Sequence, residues 1–381
     1  VKTATTSGPL GLHEPEPLGQ AARCMIGVRG LDHLSAEERT ELERVTRRFP
    51  FRANDYYLGL IDWNDPHDPI RRLVVPDVSE LDAFGADDAS DEASNTRLPG
   101  LQHKYADTAL LLVTDQCAAF CRYCFRKRLF RAGGRETAPD ISAGLAYIRQ
   151  HPEITDVLLT GGDALALPTS RLAEVVESML GIDHLHTVRL GSKMLAYNPA
   201  RVLTDERLHA LLRHATASGK SIYLMCHFDH PRELTPVAVE ALDLVQRLGV
   251  RCVNQSPITV GVNDDPDTLA DLLQACTDLG CPQYYIFQCR PTTGNASFAV
   301  PITRALPVIA EARSRVSGLS RRARYCMSHT SGKVEVVGMD DSHIYARYHR
   351  AKDPADEGRM LVYRRDDDAV WLDDLVPARA D

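Results

Sequence analysis

The chain has 381 residues, 44% hydrophobic and 25% charged, a composition that supports a large buried core without disulfide or metal staples. Its 44 Lys and Arg against 52 Asp and Glu leave a net charge of −8, which disfavours coating nucleic acid or an anionic membrane. No apolar run approaches the ~20 residues of a membrane span, and residues 1–20 lack the order of a signal peptide, so a cytoplasmic setting is expected.

In chain order, residues 1–20 are rich in Gly, Pro and Thr and are expected to be poorly ordered. Ser35 with Glu38 three residues on predicts a capped surface helix over 36–48, with Leu42 and Val45 as a thin apolar stripe. From Ser79 to Thr96 come six acids (Glu80, Asp82, Asp87, Asp88, Asp91 and Glu92) and no base. That stretch reads as a solvated linker ending an N-terminal extension, 1–96. Runs rich in leucine and β-branched residues follow at 109–113, 156–160, 187–191, 221–226, 251–255 and 283–288. They alternate with helical patterns near 141–150, 169–180, 204–218, 234–248, 266–279 and 303–316. Such alternation predicts an α/β fold with a parallel sheet, and six units suggest a partial (β/α)6 barrel over 97–318. Beyond 319, short strands at 333–338, 343–348, 360–364 and 369–372 suggest a small β element.

In parallel α/β folds ligands sit at the carboxyl ends of the strands. Here those ends are polar in succession: Thr114 to Cys117, Gly161-Gly162-Asp163, Ser192-Lys193, His227 to Pro231, Asn254-Gln255-Ser256 and Cys289-Arg290. One shared site is the economical reading. Ten cysteines must also be placed, and without secretion they read as buried, metal-binding or redox thiols. Cys117, Cys121 and Cys124 form C-x3-C-x2-C in the first of these loops. Three thiolates so close can converge on one metal centre. Zinc would need a fourth ligand such as His103 or Cys289, whereas three cysteines on an iron–sulfur cluster leave one iron free.

The loop Cys117-Ala118-Ala119-Phe120-Cys121-Arg122-Tyr123-Cys124 resembles the signature of the radical S-adenosylmethionine superfamily, and Thr160-Gly161-Gly162-Asp163 resembles its glycine motif. More narrowly, Leu101 to Tyr105, Cys124 to Arg128, Leu158 to Leu165, His227 to Pro231, Asn254 to Ser256, Gly261 to Asp264 and Tyr284 to Cys289 resemble lysine 2,3-aminomutase, in that family's order, over about 98–335. The resemblance implies a [4Fe–4S] cluster on the three cysteines and S-adenosylmethionine near Tyr123, Gly161, Gly162, Asp163, Ser192 and His227. Glycines there would let backbone groups approach the ligand closely. It also implies pyridoxal 5'-phosphate joined to Lys333, with Lys104, Tyr105, Asn254 and Gln255 around it. Lys193 is the competing lysine, but it matches a family arginine. Arg126 matches the family's clamp on the substrate carboxylate, a role that suits a two-pronged guanidinium.

Two departures bear on the substrate. The family's lysine enzymes hold the distant ammonium with two aspartates, which fall here at Arg290 and near Cys326. Arg290 facing an ammonium would be repulsive, so glutamate or aspartate is expected in place of free lysine. A structural pair with an acid such as Asp264 is the alternative for Arg290. The family's C-terminal zinc cysteines are absent, as 340–381 contain no cysteine. The implied partners are a small amino acid, a reducing donor of the flavodoxin or ferredoxin type and a second copy of the chain, with no nucleic acid or membrane. A lysine or arginine 2,3-aminomutase, a carrier- or protein-bound amino acid, another radical step, and a non-catalytic cluster sensor remain open. Cys24, Cys226, Cys252, Cys276 and Cys281 read as core thiols.

Overall fold

The computed structural model describes residues 23–131, 136–138 and 140–378; the stretch 1–20, expected to be poorly ordered, lies outside them. Strands β1 (Cys24–Ile26) and β2 (Arg52–Asn54) pair antiparallel around α1 (Ala36–Arg48). The predicted cap is present. The Ser35 hydroxyl accepts the Glu38 N–H at 3.1 Å, and the Glu38 carboxylate accepts the Ser35 N–H at 2.8 Å. Leu42 and Val45 are the buried stripe.

Twelve strands then form one sheet whose spatial order follows the chain. They are β3 (Thr96–Leu98), β4 (Leu101–Tyr105), β5 (Thr108–Thr114), β6 (Asp156–Gly161), β7 (Thr187–Gly191), β8 (Ser221–Cys226), β9 (Arg251–Ile258), β10 (Gln283–Gln288), β11 (Arg324–His329), β12 (Gly332–Met339), β13 (His343–Ala351) and β14 (Met360–Arg364). From β5 to β11 neighbours are parallel, and both flanks are antiparallel. The parallel connections carry α2 (Ser142–Gln150), α3 (Thr169–Leu180), α4 (Glu206–Ala217), α5 (Pro236–Arg247), α6 (Pro266–Asp278) and α7 (Ile302–Ser314). This is the α/β partial barrel of six units, completed by β11 as a seventh parallel strand. β11 had no distinct sequence signal, because Arg324 to His329 mixes charge, sulfur and hydroxyl.

Periodicity explains the helices. α3 buries Leu172, Val175, Val176 and Met179, spaced i, i+3, i+4, i+7. Asp205, Thr235 and Asp265 cap α4, α5 and α6, and Pro236 and Pro266 occupy first-turn positions where no N–H is needed. The apolar faces pack on Val157, Leu159, Val188, Leu190, Ile222 and Leu224 of the sheet, each side chain contributing roughly 1.5–3 kcal/mol on burial.

The barrel does not close by pairing, since β5 bonds to β4 and not to β10. Its two flanks meet through side chains instead. Lys104 on β4 donates to the His329 carbonyl, Arg350 on β13 lies 4.3 Å over the Tyr105 ring, and Ser90 donates to the Ser328 carbonyl at 3.0 Å. The C-terminal strands are thus a continuation of the main sheet.

Three expectations are corrected. The acid-rich stretch 79–96 is not a solvated linker: Glu80 is 0% and Glu92 7% exposed, because each has buried cationic partners. Residues 369–372 form no strand; Ala369, Trp371 and Leu372 are consumed in a core with α7 and β11–β13. Cys24 is exposed, while Cys226, Cys252, Cys276 and Cys281 are buried as expected. Among the described residues no helix is long and apolar enough to cross a membrane.

Candidate active site

The loop after β5 carries the three cysteines and is held by the N-terminal extension. Backbone bonds run from Phe120 to the Arg52 carbonyl and from Arg122 to the Leu73 carbonyl, both 2.9 Å. Arg122 is 2% exposed and grips Glu80 through Nε at 2.9 Å and Nη2 at 2.7 Å. Lys127 reaches the same carboxylate at 3.0 Å. These cations hold Glu80 below the usual carboxylate range despite its burial.

Cys117, Cys121 and Cys124 are half-buried and unpaired. Burial pushes their thiols up, Cys121 to about 12, with Lys193 pulling the other way. Tyr197 donates to Cys121 Sγ at 3.0 Å and the Arg126 N–H to Cys124 Sγ at 3.4 Å. Among the described residues no three acidic, His or Cys side chains are drawn tightly enough to hold one metal ion. Three thiols in one loop, two of them already receiving hydrogen bonds and one beside a lysine, fit a cluster ligated by thiolates. His103 bonds instead to Tyr147 and the Ala106 carbonyl, and Cys289 belongs to the N-terminal core, so neither completes a zinc site.

The residues implied for S-adenosylmethionine surround this loop. Tyr123 shares its hydroxyl with His227 at 3.0 Å and with Asp229. The Asp163 carboxylate accepts the Leu165 and Lys193 N–H groups, each at 2.8 Å, and bonds to Ser192. The glycines have a further structural reason to be small. A Cβ on Gly161, whose φ is 118°, would sit 2.3 Å from the Thr114 carbonyl oxygen, and one on Gly162 would sit 2.3 Å from that of Gln116. Their smallness admits the chain's own cysteine loop, which crosses them.

The two candidate lysines separate cleanly. Lys193 bonds to Asp229 at 2.5 Å, Glu233 at 2.6 Å and the His227 carbonyl at 3.1 Å; despite burial the two carboxylates hold its pKa above the ordinary value. Lys333, on β12, makes no hydrogen bond or ion pair among the described residues. Its Nζ lies 4.0 Å over the Tyr285 ring and 5.1 Å over that of Phe287. Burial, with Arg189, Arg290 and Lys104 nearby, lowers it to about 7. A neutral amine at ordinary pH is the form that attacks an aldehyde. Lys104 is lowered to about 8, by burial and then by Arg290 and Lys352, and burial raises Tyr105 to about 12. These crowded cations lack enough anions, which fits a phosphate-bearing group. Asn254 departs from expectation. Its amide is spent on both backbone groups of Phe228 and on Gln283, so it braces β8–β10. The neighbouring Gln255 is half-buried and makes no such bonds.

Arg126 and Arg290 flank one ring: their guanidinium carbons lie 4.8 and 3.6 Å from the Phe125 centroid. Arg126 pairs with Glu92. Among the described residues Arg290 makes no ion pair, its Nη1 is buried without a partner, and burial lowers it to about 10 with the nearby Glu92 pulling the other way. Asp264, its suggested structural partner, pairs with Arg304 at 2.5 Å instead. Glu92 and Glu80 escaped the sequence reading. Glu92 meets an arginine 34 positions away, and no local pattern signals so distant a pair.

A protein of Aquifex aeolicus (strain VF5), provisionally named L-lysine 2,3-aminomutase, is 50% identical over 360 residues, 94% of this chain and 96% of its own. The L-lysine 2,3-aminomutase of Clostridium subterminale is 34% identical over 289 residues, 75% of this chain and 68% of its own. The chain belongs to the lysine 2,3-aminomutase family. It is an enzyme of the radical S-adenosylmethionine aminomutase kind, and members of this family use a [4Fe–4S] cluster, S-adenosylmethionine and pyridoxal phosphate. The family also includes the glutamate 2,3-aminomutase of Clostridioides difficile (strain 630), 32% identical over 289 residues, 75% of this chain and 67% of its own. No protein-family model matches the chain.

Proposed function

We propose that this aminomutase moves the α-amino group of a short acidic amino acid, glutamate or aspartate, to the β carbon. The observation that carries the reading is Arg290, a half-buried guanidinium that makes no ion pair among the described residues, with a buried, orphaned Nη1 and with Glu92, its nearby anion, already paired to Arg126 and Arg128. A buried unpaired charge costs several kcal/mol, and an incoming carboxylate relieves that cost. Because Arg126 packs on the same Phe125 ring, the two guanidinium groups are close enough to hold both ends of a short dicarboxylate.

Bound pyridoxal phosphate, with S-adenosylmethionine on a cluster held by Cys117, Cys121 and Cys124, supplies removal of hydrogen from an unactivated carbon, which acid–base side chains cannot do. The residues of this chain bind and orient. Lys333 would hold the cofactor aldehyde through its neutral amine. Lys104 and Tyr105 face the phosphate, Lys104 as a point charge, and Gln255 lines the same space. Tyr123, His227 and Asp229 form a fixed polar wall beside the cysteine loop. Arg126 takes the α-carboxylate and Arg290 the distal one, which turns the β carbon toward the radical source. A one-electron donor of the flavodoxin or ferredoxin type completes the reaction.

The test is product analysis after anaerobic reconstitution, with L-glutamate, L-aspartate, L-arginine and L-lysine supplied in turn. A β-amino product from glutamate or aspartate is expected. Turnover of lysine alone would overturn the substrate assignment, and absence of any β-amino product would overturn the reaction.

A further inference from the structure

We infer that Glu92 is a positioning residue for substrate recognition: it fixes the Arg126 guanidinium by one edge and leaves the opposite edge for an amino-acid carboxylate. This rests on the reading of Arg126 as the carboxylate clamp.

The hydrogen-bond inventory of Arg126 leads to it. A guanidinium has five N–H groups in a rigid fork. Nε donates to both Glu92 oxygens at 3.0 and 3.1 Å, Nη2 donates to one of them at 2.7 Å, and Nη1 donates to Thr160 Oγ1 at 3.1 Å. One N–H remains on Nη1 and one on Nη2. The Nη1–Nη2 end of the fork, away from Nε and Glu92, is the edge that receives a carboxylate through two parallel bonds, with Thr160 placed against Nη1. Glu92 therefore uses the side of Arg126 that a substrate does not need.

Glu92 is itself anchored. Arg128 Nη2 donates to it at 2.6 Å, its N–H donates to Asp88 at 2.9 Å, and its carbonyl accepts from Thr96 Oγ1 at 3.0 Å. The surrounding stretch is tied to the β11–β13 flank that carries Lys333, through Ser90 to Ser328 and through Lys352 to Ser94 at 3.2 Å. Burial raises its pKa, but Arg126, Arg290 and Arg128 outweigh that and hold it at about 2, so it is an anion at every working pH. An anchored, permanently charged carboxylate orients its partner; it is not a stand-in that leaves when substrate arrives. The two roles predict opposite signs. Loss of an orienting group weakens substrate binding, whereas loss of a competitor strengthens it.

The experiment uses reconstituted holoenzyme. Without reductant, so that nothing turns over, calorimetry gives the affinity for L-glutamate; L-aspartate and L-lysine serve equally, as the α-carboxylate is common to all three. With reductant, kcat and KM are separated. Glu92→Gln is expected to weaken binding and raise KM about tenfold, with kcat changed far less, and Glu92→Asp to recover part of the loss. Thr160→Val removes the Nη1 acceptor without adding volume; it serves if Glu92→Gln does not fold, and a severalfold weakening is expected. Unchanged or tighter binding in these variants overturns the role of Glu92. Arg126→Gln separates the two claims. If it binds amino acids as tightly as the unmodified enzyme, the clamp reading falls. If it binds weakly while the Glu92 variants do not, only the inference about Glu92 falls.

Discussion

Lys193 and Lys333 are both lysines withdrawn from water near the carboxyl end of one sheet, and their surroundings are opposite. Lys193 sits between Asp229 and Glu233 and is held charged. Lys333 lies over aromatic faces among other cations and is driven toward neutrality at about pH 7. The first is finished as a structure: its charge is matched, and it braces the wall beside the cysteine loop. The second is unfinished, because desolvation without a counter-anion leaves a reactive amine. The arginines repeat the lesson. Arg122 is paired with Glu80, whereas Arg290 makes no ion pair among the described residues and feels only the charge of Glu92, which Arg126 and Arg128 already share. In this molecule the matched buried cations hold the site together, and the unmatched ones mark where ligand charge belongs.

The contrast can be broken most sharply by removing each lysine. Lys193→Met strands two buried carboxylates and is expected to cost about 3–5 kcal/mol of stability. Lys333→Met removes a desolvated amine that makes no hydrogen bond or ion pair among the described residues and is expected to leave stability within about 1 kcal/mol, or to raise it. Denaturant unfolding at pH 8 measures both, and equal losses would erase the distinction. Lys333→Met should nevertheless abolish borohydride trapping of the cofactor and turnover. Next in size, Arg290→Asp should shift relative kcat/KM from acidic toward basic amino acids by about a hundredfold, since like charges facing each other cost several kcal/mol. A competition assay between L-glutamate and L-lysine reads this directly, and an unmoved ratio would detach Arg290 from the substrate.

The smallest effect is on pH. The fold lowers Lys333 from 10.5 to about 7, so between those values the unfolded chain holds a proton that the native protein does not. From this group stability therefore rises with pH across about 7 to 10.5 and gains nothing below. Capture of pyridoxal phosphate, followed by reductive trapping, should likewise rise with a midpoint near pH 7 as the amine becomes neutral. A midpoint near 10 would place Lys333 in ordinary solvent and dissolve the contrast with Lys193.

Much of this was legible in the chain itself. The six strand runs and six helical patterns fall on β5–β10 and α2–α7 within three residues at each end, because amphipathic spacing and capping by Asp205, Thr235 and Asp265 act over a few positions. The cysteine triad, the glycine pair and Lys333 lay in short local motifs. The amino-acid sequence by itself thus determined the fold class and the family.

Tertiary structure alone decided how charge is shared. Which acid serves which base depends on segments 34 to 47 positions apart, as in Glu92 with Arg126 and Glu80 with Arg122 and Lys127. A run of acids without bases therefore looked solvated and proved to hold the site. Nor could spacing show that Gly161 and Gly162 are pressed by Thr114 and Gln116, or that Asn254 is spent on Phe228. Burial and pairing are properties of what surrounds a side chain, and here the surroundings come from distant parts of the chain.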